Sequence, residues 1–357
     1  MTRVLLAPDK FKGSLPALGV ARALADGVRR VLPDAAVECL PVADGGDGTI
    51  EAAVASGFER VGVVVSGPTG EPVETSYARR GDTAVVEMAD ACGLSRLPGG
   101  VPAPMTASSR GLGEVVLAAL EAGCRELVVG IGGSASTDGG TGMLAALGAR
   151  HDPDHLDLAG LHPALAETRI VAACDVDNPL TGPHGAAAVY APQKGASTHE
   201  VAMLDLALIR WADLVAATTG ADRRDEPGAG AAGGVGFALV AVLGAELRPG
   251  IELMLDLLGF DDRVRGADLV VTGEGSLDEQ SLRGKAPVGV SAAAGRAGAP
   301  VVAVCGRNLL TPAQLDAAGI SRAYALADLE PDLQTCLREP ARLLADLGER
   351  IALDRLR

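Results

Sequence analysis

Residues 126–148, ELVVGIGGSASTDGGTGMLAALG, constrain the fold of this chain more than any other stretch. Residues 127–131 form a short apolar run rich in β-branched side chains and bounded by glycine, which reads as a buried strand. The run empties into Gly132, Gly133, Ser134, Ala135, Ser136, Thr137, Asp138, Gly139 and Gly140, and residues 143–147 return at helical spacing. A small-residue loop between strand and helix points backbone N–H groups and hydroxyls outward. With the positive end of the helix dipole behind them, they form an anion cradle. Asp138 inside that cradle would repel an anion, so a metal cation or a substrate hydroxyl is expected there as well. A tight turn needs glycine for positive φ, but four glycines and three hydroxyls exceed what a turn requires.

Other segments repeat the pattern of a strand that ends in polar residues. Residues 3–7 are an apolar strand ending at Pro8, Asp9, Lys10, Phe11, Lys12, Gly13 and Ser14, and Ser14 is expected to cap the helix that follows. Residues 37–42 end at Asp44, Gly45, Gly46, Asp47 and Gly48, where either acid can hold Mg²⁺ through water, orient a hydroxyl, or cap the helix at 50–56. From residue 61 three short alternating strands (61–65, 73–78, 84–88) form a meander. Residues 170–174 end at Asp175, Val176, Asp177 and Asn178, with His184 and Lys194 further on as possible anion contacts. Residues 268–272 end at Gly273, Glu274, Gly275, Ser276, Leu277 and Asp278, with Ser281, Arg283 and Lys285 before a helix at 288–297. Because the tail matches the first 60 residues in style, one discontinuous α/β domain (1–62 and 264–357) is expected to carry an inserted α/β domain (63–263).

Two motifs fail on context. His151 and His155 flank two acids, but Pro153 forbids the helix that would align them, so a solvated turn is expected. Residues 228–233, GAGAAG, match the dinucleotide fingerprint GxGxxG, yet the preceding residues 219–227 are polar and form no strand. They are expected to be a loop feeding an apolar helix at 237–243.

Net charge is −15, from 31 basic and 46 acidic residues with no basic run, which argues against nucleic acid or an anionic membrane as partner. The scattered cysteines form no CxxC pair, the pattern of reduced thiols in the cytoplasm. No signal peptide or membrane span is expected. Five strand ends carrying acids, glycines and cations on a cleft between two domains suit phosphoryl transfer, which needs a phosphate cradle, acids for Mg²⁺, cations and a base. Covalent hydrolysis fits poorly, since Ser134 lacks a GxSxG elbow. Two other classes remain: a dehydrogenase of small hydroxy acids, disfavoured by the failed GxGxxG context, and a non-catalytic organic-phosphate-binding protein, whose carboxylates would repel its ligand.

The segments APDKFKGSL (7–15), PVADGGDGT (41–49), VGIGGSASTDGGTGML (129–144), CDVDNPLTGPHGAAAVYAPQKGA (174–196), PGAGAAGGVGFAL (227–239) and TGEGSLDEQSLRGKAPVGV (272–290) resemble the bacterial type-1 glycerate kinases, in order and over nearly the whole chain. That resemblance implies a flavodoxin-like (Rossmann-like) domain carrying a large α/β insertion. It also implies ATP- and Mg²⁺-dependent phosphorylation of D-glycerate, most often to 2-phosphoglycerate, by a monomer or homodimer. Carried over by position, Ser134, Ser136 and Thr137 with the backbone of Gly132 and Gly133 bind phosphate or the glycerate carboxylate. Ser14, Asp138 and Asn178 join them; Lys12, Arg283 and Lys285 neutralise anions; Asp44, Asp175 and Asp278 supply metal ligand and base, with Asp44 and Asp175 the metal candidates. Ser276 stands where the family usually has Arg, and Thr137 where Asn is common, so the resemblance carries no anion contact to position 276.

Overall fold

The parallel strand of residues Arg3–Pro8 lies inside a five-stranded sheet, paired on both sides, and both its faces are apolar: Val4, Leu5, Leu6 and Ala7 are all essentially inaccessible. In this computed structural model, which describes the backbone of all 357 residues and every side chain except that of Arg283, the sheet runs Ala323–Ala325, Val301–Asn308, Leu269–Leu277, Arg3–Pro8, Ala36–Cys39. Every neighbouring pair is parallel. Numbered by appearance and read from the Ala36–Cys39 edge, the order is 2-1-3-4-5, the flavodoxin-like doubly wound arrangement. Alternate residues feed opposite cores. Val4, Leu6, Val271, Val302 and Val304 pack with helices Ala17–Val31 and Pro340–Arg355, whereas Leu5, Ala7, Val270 and Ala303 pack with Ile251, Met254, Val290 and Ala294.

Two local departures from the sequence reading have simple causes. The first helix begins at Ala17 with Pro16 as its cap residue (φ −65°, ψ 154°), so Ser14 caps nothing and instead sits in a turn, donating its N–H to Phe11 O. The strand expected over 268–272 runs on to Leu277, because its partner continues to Asn308 and the register holds through Leu277↔Asn308.

This sheet belongs to a compact unit of residues Met1–Asp44, Glu51–Ser56 and Ile251–Arg357; a second unit holds Gly45–Ile50 and Gly57–Gly250. The expected division after residue 62 falls inside strand Glu59–Ser66, which pairs with Pro72–Arg80 along its whole length. The expected division after 263 follows residues whose side chains Ile251, Met254, Leu255, Leu258 and Phe260 already build the first unit's core. In the second unit a six-stranded mixed sheet runs Glu246–Arg248, Arg169–Ala173, Glu126–Gly130, Thr83–Glu87, Pro72–Arg80, Glu59–Ser66. Its last three strands are the antiparallel meander, and the other pairings are parallel. A 22-residue helix, Thr198–Thr219, starts at a Ser197/Glu200 capping box and buries Trp211. Residues 150–157 form a two-stranded hairpin with both histidines exposed, and the His151 ring lies 5.4 Å from that of Trp211. Among the described residues no helix is long and apolar enough to cross a membrane.

Helices Ala17–Val31 and Pro340–Arg355 approach so closely that a β-carbon at Gly27 would lie 1.9 Å from Ala345 O. Gly27→Ala should therefore destabilise by about 1–3 kcal/mol. The exposed helical Gly295 has open space around it, and Gly295→Ala should stabilise by about 0.5–1 kcal/mol. Urea melts of the two variants check the pair; equal effects of one sign would contradict this packing.

Candidate functional site

In the second unit backbone hydrogen bonds pin the glycine-rich segment at Gly133, Ser134 and Ala135. Leu94 N–H donates to Gly133 O (2.9 Å), Ala135 N–H donates to Cys92 O (3.3 Å), and Gly93 bridges Ser134. A β-carbon at Gly132 would come 2.9 Å from Gly46 Cα, and one at Gly130 would come 2.5 Å from Gly45 O, so the two glycine loops pack backbone to backbone. Behind Ser136 stand Ala232, Gly233 and Gly234, three consecutive left-handed residues with φ of 54°, 69° and 91°. A β-carbon on Gly233 would lie 2.1 Å from Ser136 O. The GAGAAG segment, which follows no strand, is thus a brace for the glycine-rich segment and leads into helix Ala231–Ala241.

Asp138 has a role inside the fold. Its Oδ2 accepts from Ser109 N–H (2.8 Å), Ser109 Oγ–H (2.8 Å) and Gly142 N–H (3.2 Å), and Oδ1 accepts from Gly140 N–H (3.1 Å). Helix Thr141–Ala146 is only six residues long, and its early N–H groups face this carboxylate. The anion cradle expected at a helix start is therefore already occupied by Asp138, for want of any nearer partner for those donors. The positive charge beside the segment comes instead from Lys194, one of the two anion contacts the sequence offers after residue 178. Lys194 is 3% exposed; its Nζ donates to Ser134 Oγ at 2.7 Å and to Ser136 O at 2.5 Å. Burial lowers its ammonium to about 8, while the negative fields of Asp138 and Cys92 pull it back up. The hydroxyls of Ser136 and Thr137 are buried without a hydrogen-bond partner.

Other expected residues of this unit also serve as ties. Asp175, exposed, accepts from Gly250 N–H through Oδ1 (2.8 Å). Asn178 accepts from Tyr190 Oη–H (2.5 Å) and donates to His184 O (2.8 Å). Gly48 and Ile50 N–H donate to buried Glu87, each at 3.2 Å, so Glu87 caps helix Thr49–Ala55 while Asp47 is exposed.

In the first unit a second polar group gathers where the strand order reverses, at the carboxyl ends of Arg3–Pro8 and Leu269–Leu277, where open α/β sheets bind ligands. Asp9, absent from the residues expected to act, is buried there. Its Oδ1 accepts from Lys10 N–H at 2.6 Å and lies 3.6 Å from Lys10 Nζ. Burial raises its carboxyl to about 7; Lys10 opposes the rise, and the neighbouring acids Asp44 and Glu274 add to it. Glu274 is also pushed up, chiefly by burial, against the pull of Ser281 and Lys285. Lys285, the cap residue of helix Ala286–Arg296, holds its Nζ 3.8 Å from Glu274 Oε2. Asp278 instead accepts from Gln280 N–H (2.8 Å) and Ser281 N–H (3.2 Å), capping its own turn. Lys12 is exposed, and Gly275 leaves room for its backbone, since a β-carbon there would lie 3.5 Å from Lys12 N. The Arg283 side chain lies outside the described residues. Among those that are described, no group of three or more His, Cys, Asp or Glu side chains is disposed to hold a metal ion.

The glycerate kinase family profile matches residues 4–355. The chain is 39% identical to a glycerate kinase of Halalkalibacterium halodurans, over 99% of this chain and 98% of that one. It is 43% identical to glycerate 2-kinase of Escherichia coli K12, over 85% of each chain. A crystal structure from Salmonella typhimurium LT2 carrying a provisional glycerate kinase 2 designation matches with a TM-score of 0.86 at 40% identity. That match covers 99% of this chain and 98% of the other. With a fold, a pair of polar strand ends and near-full-length relatives in agreement, the chain belongs to the glycerate kinase family.

Proposed function

We propose that the chain is a type-1 glycerate kinase that transfers the γ-phosphoryl group of ATP to D-glycerate, giving 2-phosphoglycerate, in the cytoplasm. The observation that carries this reading is similarity to proteins named glycerate kinase, over 99% of the chain for one and over 85% for a glycerate 2-kinase. All six cysteines are free thiols, which supports a reducing compartment.

Phosphoryl transfer asks a protein for positioning and for charge opposite the transferring group, more than for covalent chemistry. In this reading the 132–137 segment receives an anionic group of a substrate. Lys285, Lys12 and Arg283 are the cations for phosphoryl oxygens. Bound with ATP, Mg²⁺ would neutralise charge on the phosphates, and either Asp44 or Asp175 would offer it a carboxylate oxygen. For the hydroxyl proton, Asp9 is a better acceptor than Asp278. Its carboxyl sits near 7, close to the working pH that suits a general base, whereas Asp278 is engaged in capping its turn.

An ADP-release assay across glycerate, glycolate, lactate and sugars tests the assignment, with phosphorus NMR of the product. Release dependent on D-glycerate and Mg²⁺, with the phosphate on O2, is the expected result. Release with a sugar and none with glycerate would refute it. Lys285→Ala should lower kcat by about 10²–10³ with little change in melting temperature.

Asp9→Asn should lower kcat by about 10²–10⁴, while Asp278→Asn, which keeps an acceptor for the turn, should cost less than about tenfold. Stability should move the other way. Because the folded state raises the Asp9 pKa, native protein binds that proton more tightly than the unfolded chain does. Wild-type stability from this group is thus greatest below the ordinary carboxylate range and is lost as pH rises towards about 7. Asp9→Asn lacks that loss, so its melting temperature should gain on wild type between pH 4 and pH 8 and stay level above. A pH-independent difference would contradict the buried, neutral-favouring Asp9.

A further inference from the structure

Lys194 carries a buried charge that the fold itself does not balance. Among the described residues it makes no ion pair, and its two acceptors, Ser134 Oγ and Ser136 O, are neutral. Asp138, the carboxylate whose field reaches it, is occupied by the N–H groups of Ser109, Gly140 and Gly142. A buried cation without a counter-charge weakens a fold, and an apolar side chain of similar length would serve packing better. The donor count points the same way. An ammonium has three protons, and two are used here. Ser134 Oγ accepts from that ammonium, so its own proton is left to give, and a hydroxyl polarised by a cation is the stronger donor. Beside it, the hydroxyls of Ser136 and Thr137 are buried without partners. A cation and several donors converge on one short segment, and among the described residues no carboxylate hydrogen-bonds to them.

We infer that Lys194 is the built-in cation of the 132–137 segment, a positioning residue that acts through Ser134 to seat an incoming oxyanion whose charge completes its ion pair. The oxyanion is the carboxylate of a hydroxy acid or a phosphoryl oxygen of a nucleotide. The inference rests on the kinase reading for which of these arrives, and not for the existence of the seat. The start of the short helix Thr141–Ala146 cannot play this part, because Asp138 already occupies its donors.

Calorimetric titrations of wild type, Lys194→Met, Ser134→Ala and the double variant with D-glycerate, MgATP and inorganic phosphate test it, alongside melting curves without ligand. Lys194→Met should melt at or above the wild-type temperature, yet bind either D-glycerate or MgATP at least tenfold more weakly while binding the other within twofold. Loss of glycerate identifies the carboxylate, and loss of MgATP the phosphoryl oxygen. Ser134→Ala should weaken the same ligand, and the double variant should bind it no more weakly than Lys194→Met, since both act on one path. A Lys194→Met protein that melts earlier and keeps both affinities, or loses both equally, would make the lysine an internal tie and overturn the inference. If that variant does not fold, Ser134→Ala decides alone, and unchanged affinities for both ligands would overturn it. If wild type turns over no glycerate, the kinase reading fails while phosphate still tests the seat. Phosphate binding lost in Lys194→Met would support the seat, and no phosphate binding to wild type would overturn it.

Discussion

Backbone lying directly on backbone is the constraint from which the second unit's chemistry follows. Gly132 on Gly46, Gly130 on Gly45, Gly233 on Ser136 and Gly234 on Gly139 all approach within distances that a β-carbon forbids. Such contacts leave the 132–140 segment no slack, so its hydroxyls and carbonyls are fixed before any ligand arrives. The cost is local. Ala232 holds a left-handed conformation without being glycine, which typically costs about 1–3 kcal/mol and persists only where surroundings over-determine it. Pre-organisation of this kind is what charge stabilisation in phosphoryl transfer requires, since donors already in place need no reorganisation when charge develops.

The first unit reaches a comparable end by a different route. Parallel strands with apolar residues on both faces leave only their carboxyl ends for polar groups, and the order reversal beside Arg3–Pro8 opens the place where those groups meet. Asp9, Asp44 and Glu274 repel one another there, with Lys10 and Lys285 among them. Burial of like charges raises carboxyl pKa values and lowers stability together. The raised pKa of Asp9 and its destabilising effect at neutral pH have one cause.

Much of the fold was legible because parallel strands and their helices write strong periodic patterns. The strand expected over 127–131 is Glu126–Gly130, and the three-strand meander and the α/β character are present. Boundaries failed where a partner decides them: Leu269–Leu277 outruns its apolar stretch because Val301–Asn308 continues alongside. The site was legible as a set of strand ends and much less so as individual roles. A lone Asp looks the same wherever it sits: Asp138 and Asp278 each accept two or more N–H groups, whereas Asp9 accepts one and is buried beside other acids. Lys194 was named only as an anion contact, and Glu87 not at all, because their importance comes from burial, which a sequence of mixed polarity does not display. Two capping boxes of ordinary form, Ser197/Glu200 before helix Thr198–Thr219 and Thr311/Gln314 before helix Pro312–Ala317, were signals that went unread.

The most direct measurement is a crystal structure of the protein with D-glycerate and a non-hydrolysable ATP analogue. A seat built from Ser134 and Lys194 predicts an anionic ligand oxygen about 3 Å from Ser134 Oγ, with the Nζ hydrogen bonds to Ser134 and Ser136 kept. Both ligands bound elsewhere, with Ser134 Oγ touching only Lys194, would contradict it.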